Sequence, residues 1–320
     1  MLTEVEFLLG VRDDLRQGAV RFRPQNQEEF ASADPSGVPA MTDLPDLLDA
    51  SNRIERDDAV QEDLLRMIRA GSSLGGTRPK VHIRTQQGTI AIAKFPAPAA
   101  DRWNVMTWEK VALDLAAEAG IAVPQSHLVE VGEHRVLIVE RFDRDTEGSR
   151  IGYWSGVTLL ETQEGEARSY VELAERIEEE SPTPTDDLQQ LWRRIAFNIL
   201  IANTDDHLRN HAFLRDPRTG WKLSPAFDMN PNPEPVYRRM ATAIDDGVFD
   251  GSPAVLIEVA PFYFRVTENQ ALEVLREVSA VVDRWQEFAE IHGAGGAEID
   301  MMRTAFSNPA SEQIRYLTDR

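Results

Sequence analysis

The sequence predicts an α+β fold in which a small strand-rich part precedes a larger helical part. Residues 81–84 alternate apolar and polar side chains as a half-buried strand does, and 89–95 form a second strand-like run. Residues 188–201 instead repeat apolar side chains at helical spacing, and this period returns at about 271–291. We therefore expect three regions: an N-terminal segment and linker at 1–58, a β-rich lobe at 59–145 and a helical lobe at 146–320.

The composition describes an acidic globular protein. Of its 320 residues 42% are apolar, and 34 basic against 54 acidic residues leave a net charge of −20. This charge argues against direct binding of nucleic acid or anionic membranes, because both need a clustered basic surface. No apolar run reaches the roughly 18 residues that a membrane helix needs, and without cysteine there are no disulfides or thiolate metal sites. We expect a cytoplasmic protein.

The strongest chemical pattern begins at the end of the helix predicted over 188–201. Asp205 stands five residues before Asn210, and Asp228 follows a hairpin predicted over 211–223. In protein-kinase catalytic loops an aspartate accepts the proton of the substrate hydroxyl, and an asparagine five residues later binds a metal. Two oxygen ligands together with phosphates suit Mg²⁺. The spacing therefore predicts Asp205 as catalytic base, with Asn210 and Asp228 as magnesium ligands.

Other interpretations of these side chains stay open. Asp206 competes with Asp205 for the role of base, but it stands only four residues before Asn210, so we prefer Asp205. Taken singly, Asp205 would cap a helix, Asn210 would make a turn and Asp228 would be a surface carboxylate. Their combination in one register favours chemistry.

A glycine-rich stretch at 71–80 precedes the first predicted strand. Glycine and hydroxyl residues let backbone N–H groups approach phosphates. The stretch is neither a Walker A loop nor a G-x-G-x-x-G motif, so alone it indicates only a turn.

A lysine and a glutamate follow at the positions that a kinase uses. Lys94 lies at the end of the second predicted strand, and Glu109 lies in the first turn of a helix predicted over 107–119. In kinases such a lysine holds the α- and β-phosphates and a helix glutamate orients it. A solvated strand end and a favourable first-turn acid would give the same pattern.

A further strand predicted over 135–142 is apolar and then abruptly charged. This is typical of a strand that leads into a hinge between two lobes, where adenine could pair with the backbone around 140–142. A buried strand that reaches solvent has the same pattern.

Five blocks of sequence stand in this order over about 160 residues: Ser-Ser-Leu-Gly-Gly-Thr-Arg-Pro-Lys (72–80), Ile-Ala-Lys-Phe-Pro (92–96), Val-Glu-Arg-Phe-Asp-Arg (139–144), Asn-Thr-Asp-Asp-His-Leu-Arg-Asn (203–210) and Pro-Ala-Phe-Asp-Met-Asn-Pro (225–231). They resemble the HipA family of serine/threonine kinases, the toxins of bacterial toxin–antitoxin pairs. The resemblance implies a two-lobed protein-kinase-like fold, with a small β-rich N-lobe and a helical C-lobe.

The resemblance also implies a site for ATP and Mg²⁺ with Asp205 as base. The implied nucleotide-binding residues are Gly75, Gly76, Thr77, Arg78, Pro79, Lys80, Lys94, Glu140, Arg141, Phe142, His207, Leu208, Arg209, Asn210, Phe227 and Asp228. Family members autophosphorylate a serine of the glycine-rich loop, which by position is Ser73, with Ser72 adjacent. A phosphoserine charge of roughly −1.5 to −2 would repel the triphosphate.

The resemblance further implies a protein substrate such as an aminoacyl-tRNA synthetase and a HipB-like DNA-binding antitoxin as partner. The family usually begins with a small β-rich subdomain, of which 1–58 would be a remnant. Asn203 and Thr204 replace the His-Arg of eukaryotic kinases, so we expect no control by a phosphorylated activation segment. A lipid or small-molecule kinase and a non-catalytic nucleotide-binding partner in a repressor complex are the alternative functions.

Overall fold

The computed structural model describes residues 3–32, 37–71, 78–163, 165–217, 219–234 and 239–318. The predicted loop residues Ser72, Ser73, Gly75, Gly76 and Thr77 lie outside the described residues. The chain divides into two compact units. Unit 1 comprises Met1–Met106 and Gln125–Tyr153, and unit 2 comprises Thr107–Pro124 and Trp154–Arg320.

Unit 1 is built on a four-stranded antiparallel sheet with the strand order β1-β2-β4-β3. Its elements are α1 (Glu4–Gly10), a 3₁₀ turn (Met41–Asp43), α2 (Leu44–Glu55), α3 (Gln61–Arg69), β1 (Lys80–Arg84), β2 (Ile90–Lys94), β3 (Ser126–Val131) and β4 (His134–Glu140). Val81 and Ile83 point into the core while their neighbours do not, as the alternation predicts. Leu44, Leu47 and Met67 of the helices pack in the same core.

Helix α3 leaves most of its apolar side chains exposed. Of Leu64, Leu65, Met67 and Ile68, only Met67 is buried. Leu64, Leu65 and Ile68 are 40%, 43% and 53% exposed. Helical period alone identifies a stripe of apolar residues but not whether a partner covers it.

Unit 2 is organised around the long helix α7 (Pro184–Leu200). Pro184 suits the first helical position, and Asp186 and Asp187 lie in the first turn, where acidic side chains are favourable. The helix packs on α6, α8, α9 and α12. The other elements of this part are α4 (Val105–Glu118), β5 (Tyr153–Ser155), α5 (Gly156–Leu159), α6 (Tyr170–Glu180), a 3₁₀ turn (Leu208–Asn210), β6 (Ala212–Arg215), β7 (Trp221–Leu223), α8 (Pro253–Tyr263), α9 (Glu268–Val282), α10 (Trp285–Ile291), α11 (Gly296–Phe306) and α12 (Pro309–Thr318).

The predicted hairpin is confirmed, because β6 and β7 pair antiparallel. The single helix predicted over 271–291 is wrong, because the chain breaks between α9 and α10 at Asp283 and Arg284. No helix in the described ranges is long and apolar enough to span a membrane.

Candidate functional site

Two consecutive aspartates after α7 differ in their surroundings. The side chain of Asp205 is exposed, whereas Asp206 is only 3% exposed. One carboxylate oxygen of Asp206, Oδ2, accepts hydrogen bonds from Tyr170 Oη at 2.5 Å, Asn198 Nδ2 at 2.8 Å and His211 Nε2 at 3.0 Å. Asp206 is therefore enclosed by donors, and Asp205 is the carboxylate that a second molecule can reach.

The Asp206 carboxylate is held in its ionised form. Burial raises the pKa of Asp206, but the charge and hydrogen bond of His211 and the hydrogen bond of Tyr170 outweigh burial and leave the pKa below its usual value. Conversely, burial and then the Asp206 charge raise the pKa of Tyr170 well above its usual value, so its hydroxyl remains a donor.

The loop backbone is fixed by bonds within the motif. Asn203 donates its backbone N–H to Asn198 O at 2.8 Å and its side-chain amide to Asn198 Oδ1 at 3.1 Å. Asn210 donates Nδ2 to Asp205 O at 3.1 Å. Because the Asn210 nitrogen is used inside the loop, its oxygen is the atom that a cation would use.

Asp228 adopts a conformation that most residues avoid. Its φ is +59°, in the left-handed region that favours glycine. Such conformations persist only where the surroundings impose them, and they are frequent at functional sites. Asn230 donates Nδ2 to Asp228 Oδ1 at 3.3 Å, and Ala226 N–H donates to Ala122 O at 2.7 Å just before it.

A buried arginine of α7 supports the same segment. Arg194 is 2% exposed, and its Nη2 donates to the backbone oxygen of Ser224, four residues before Asp228. Burial lowers the pKa of Arg194 to about 10, opposed by the charges of Asp187 and Asp206. Asp187 in turn accepts from the Leu223 N–H at 3.1 Å. One helix therefore anchors both motifs.

The two predicted ligands are of residue types that suit a magnesium ion. Asp228 offers a carboxylate and Asn210 an amide oxygen, and Mg²⁺ takes few protein ligands and completes its shell with phosphates and water. The described residues contain no group of three or more acidic or histidine side chains arranged to hold a metal. Of the other predicted residues near the motifs, Leu208 is buried, His207 and Phe227 are half-buried, and Arg209 is exposed.

The predicted residues of unit 1 are placed as follows. Lys94 ends β2, half-buried and opposite Leu137 of β4. Arg78 pairs through Nε with Asp101 Oδ1 at 2.8 Å, while Lys80 is exposed at the start of β1. Pro79 O accepts the N–H of Phe95 at 3.0 Å.

The side chains of the first three charged residues after β4 are buried. β4 ends at Glu140, and Arg141, Asp143 and Arg144 are buried in an ion network. The Arg141 guanidinium donates to Leu15 O at 2.8 Å and to Asp143 Oδ1 at 2.8 Å. These buried side chains do not fit the alternative of a strand that runs out to solvent, and adenine pairing around 140–142 stays a prediction.

The position of Glu109 in its helix differs from the predicted one. Because α4 begins at Val105, Glu109 lies in the second turn rather than the first, and it is 2% exposed. It is therefore not a surface acid that favours a helix start. Lys94 belongs to unit 1 and Glu109 to unit 2, so their pairing stays a prediction.

Sequence reasoning missed the supporting residues Tyr170, Asn198, Arg194 and His211. Tyr170 lies 36 residues before Asp206, so no local pattern could find it. The apolar repeat of α7 gave no signal for Arg194 either, because consecutive helix residues point about 100° apart and Arg194 does not share the direction of Ile195.

Comparison with known families decides the relationship. The model of the HipA-like C-terminal domain matches residues 72–285, more than half of the chain. The chain belongs to the HipA-like C-terminal domain family.

Solved structures agree with this HipA-like assignment. HipA of Shewanella oneidensis, from a complex with HipB and operator DNA, superposes with a TM-score of 0.63 at 19% identity over 78% of this chain and 67% of that one. The Helicobacter pylori proinflammatory kinase CtkA gives 0.57 at 14% identity, over 77% of this chain and 92% of CtkA. These likenesses establish the α+β kinase-like fold that the sequence predicted.

Curated relatives of this HipA-like chain carry provisional kinase names. Y4mE of Sinorhizobium fredii is 26% identical over 309 residues, 87% of this chain and 64% of Y4mE. A Haemophilus influenzae protein is 25% identical over 191 residues, 51% of this chain and 54% of the relative. The chain thus spans between half and two thirds of their lengths.

Proposed function

We propose that the protein is an ATP- and Mg²⁺-dependent serine/threonine protein kinase. The observation that carries the proposal is the contrast between the two aspartates after α7. Asp205 is exposed, whereas Asp206 is buried and accepts hydrogen bonds from three donors. Membership of the HipA-like family and the provisional kinase names of its relatives support it.

In this reaction Asp205 accepts the proton of a serine or threonine hydroxyl as its oxygen attacks the γ-phosphate of ATP. The new oxygen–phosphorus bond forms as the bond to ADP breaks, and the proton remains on Asp205. Asn210 and Asp228 would hold Mg²⁺, which supplies charge neutralisation on the phosphates. Lys94 would hold the α- and β-phosphates, with Glu109 orienting it.

The remaining nucleotide contacts belong to the same proposal. They are Gly75, Gly76, Thr77, Arg78, Pro79, Lys80, Glu140, Arg141, Phe142, His207, Leu208, Arg209 and Phe227. Ser73, or Ser72, would be the site of autophosphorylation. A HipB-like antitoxin is the proposed partner, since the similar HipA was solved with HipB and its operator DNA. A translation-related protein such as an aminoacyl-tRNA synthetase is the proposed substrate.

Intact mass after incubation with ATP and Mg²⁺ tests the proposal. The wild type should gain about 80 Da for each phosphate, mapping to Ser73 or Ser72, and Asp205→Ala should gain none. Asp186→Ala removes an exposed carboxylate of α7 and should behave as wild type. No gain together with ATP-induced thermal stabilisation would reject the kinase in favour of a non-catalytic nucleotide-binding partner.

A further inference from the structure

The two proposed functional residues of the loop share one arrangement. Asp205 and Asn210 are each followed directly by a buried side chain, Asp206 and His211, which are 3% and 2% exposed. These two buried side chains bond to each other, Asp206 Oδ2 to His211 Nε2, at 3.0 Å. The bond therefore joins the two residues that directly follow the proposed base and the proposed metal ligand.

We propose that the Asp206–His211 bond is a clasp that fixes the positions of Asp205 and Asn210 relative to each other. Asp206 and His211 are then positioning residues for phosphate transfer. This role rests on the proposed function. Neither residue touches a substrate.

Both ends of the clasp are tied to rigid elements. Asp206 is bonded to α6 through Tyr170 and to α7 through Asn198, and its backbone oxygen accepts from Thr242 Oγ1 at 2.7 Å. The backbone oxygen of His211 accepts the N–H of Gly156 at 2.7 Å. Bonds to an ionised carboxylate are stronger than neutral ones, so the three bonds to Asp206 Oδ2 restrain its side chain.

A second bond of the loop has the same span. Asn210 Nδ2 donates to Asp205 O at 3.1 Å, one residue earlier at each end than the bond between Asp206 and His211. Two bonds, each between residues five apart, therefore close the segment 205–211. A displacement of about 1 Å at a catalytic group costs on the order of 100-fold in rate, so this closure matters to chemistry.

A matched pair of variants separates the clasp from ordinary stability. His211→Phe and Tyr170→Phe each remove one donor from the same oxygen of Asp206, but only His211 adjoins Asn210. We expect His211→Phe to lower kcat by roughly tenfold or more and to raise the Mg²⁺ concentration at half-maximal rate. Tyr170→Phe should lose clearly less activity even where its melting temperature falls as far.

A conservative variant provides the rescue. His211→Gln keeps an N–H donor at the end of the side chain and should recover most of the kcat lost in His211→Phe. Equal losses in His211→Phe and Tyr170→Phe, or loss that follows melting temperature across all three variants, would overturn the clasp.

Hydrogen exchange tests the clasp without any activity. Amides 203–210 should exchange faster in His211→Phe than in the wild type, with 188–200 unchanged and Tyr170→Phe close to wild type. Unchanged exchange at 203–210 in His211→Phe would refute the clasp. A wild type that transfers no phosphate would refute the proposed function instead, and the exchange result would still decide the clasp.

Discussion

The side-chain amide of Asn308 donates to the backbone oxygen of Leu200 at 3.1 Å, so a residue between α11 and α12 caps the carbonyl end of α7. The same amide reaches Ile199 O at 3.2 Å and Ala305 O at 2.8 Å. Helix ends leave carbonyl groups without partners, and a buried end needs such a donor. The cap lies directly before the candidate catalytic loop.

Asn308→Ala should therefore destabilise the protein by about 1–3 kcal/mol, because the buried Leu200 carbonyl loses this donor and the N–H of Ser311 loses its acceptor, Asn308 Oδ1. The measurement is chemical denaturation of the variant beside wild type. Ser307→Ala, at the exposed neighbouring position, is the control and should change little. Equal stability of Asn308→Ala and wild type would show that water replaces the cap.

Asp205→Ala and Asp228→Ala should separate chemistry from binding. The first removes the proposed base and should leave the dissociation constant of Mg²⁺-ATP close to wild type while abolishing transfer. The second removes the proposed metal ligand and should weaken binding that depends on Mg²⁺. Calorimetric titration with and without Mg²⁺ measures both, and unchanged affinity in Asp228→Ala would remove it from the site.

Lys94→Ala should raise the KM for ATP, lower kcat, or both, since the proposed lysine contacts phosphates in the ground state and in transfer. Steady-state kinetics over a range of ATP concentrations measure this. Arg84→Ala removes an exposed cation from β1 of the same sheet and is the control. Kinetics that match those of the control would exclude Lys94 from the reaction.

Ala202→Gly should stabilise the protein slightly. Ala202 has a φ of +52° where α7 ends, and this conformation costs an alanine roughly 1–2 kcal/mol in the folded protein. Glycine removes that strain, but its greater freedom in the unfolded chain costs about 0.4–1 kcal/mol of stability. Ala280→Gly, at an exposed position inside α9, should instead destabilise by about 1 kcal/mol. Denaturant unfolding of both variants checks the opposite signs.

The pair of Asp63 and Arg53 should give unit 1 an acid-sensitive contribution to stability. The hydrogen bond from Arg53 lowers the pKa of Asp63 from 3.8 to about 2. Because the folded-state pKa lies below the unfolded one, this contribution is present above about pH 4 and is lost as pH falls towards 2. The stability difference between wild type and Asp63→Asn should therefore shrink over that range, which denaturant unfolding at a series of pH values measures.

The sequence predicted the parts of the fold in which period and burial coincide. Alternation at Val81 and Ile83 located β1, and the apolar repeat of α7 located the helix that carries the candidate site. The break between α9 and α10 was not predicted, because Val282 and Trp285 continue the apolar period across it.

For the site, too, the sequence revealed local patterns but not contacts between distant parts of the chain. Local spacing identified Asp205, Asn210 and Asp228 as candidates, since their pattern lies within one stretch of chain. It could not choose between Asp205 and Asp206 beyond the offset to Asn210. Their different exposure depends on Tyr170 in α6, a contact that exists only after folding.

The ion network behind β4 sets a practical limit for shortened versions of this protein. Arg141 and Arg144 donate to the backbone oxygens of Leu15 and Arg16, and the N–H of Gly18 donates to Asp143. A version trimmed past residue 18 would remove the backbone acceptors of two buried guanidinium groups and leave Asp143 as the acceptor they share. Expression vectors for the kinase-like part should therefore retain this N-terminal segment, although the family match begins only at residue 72.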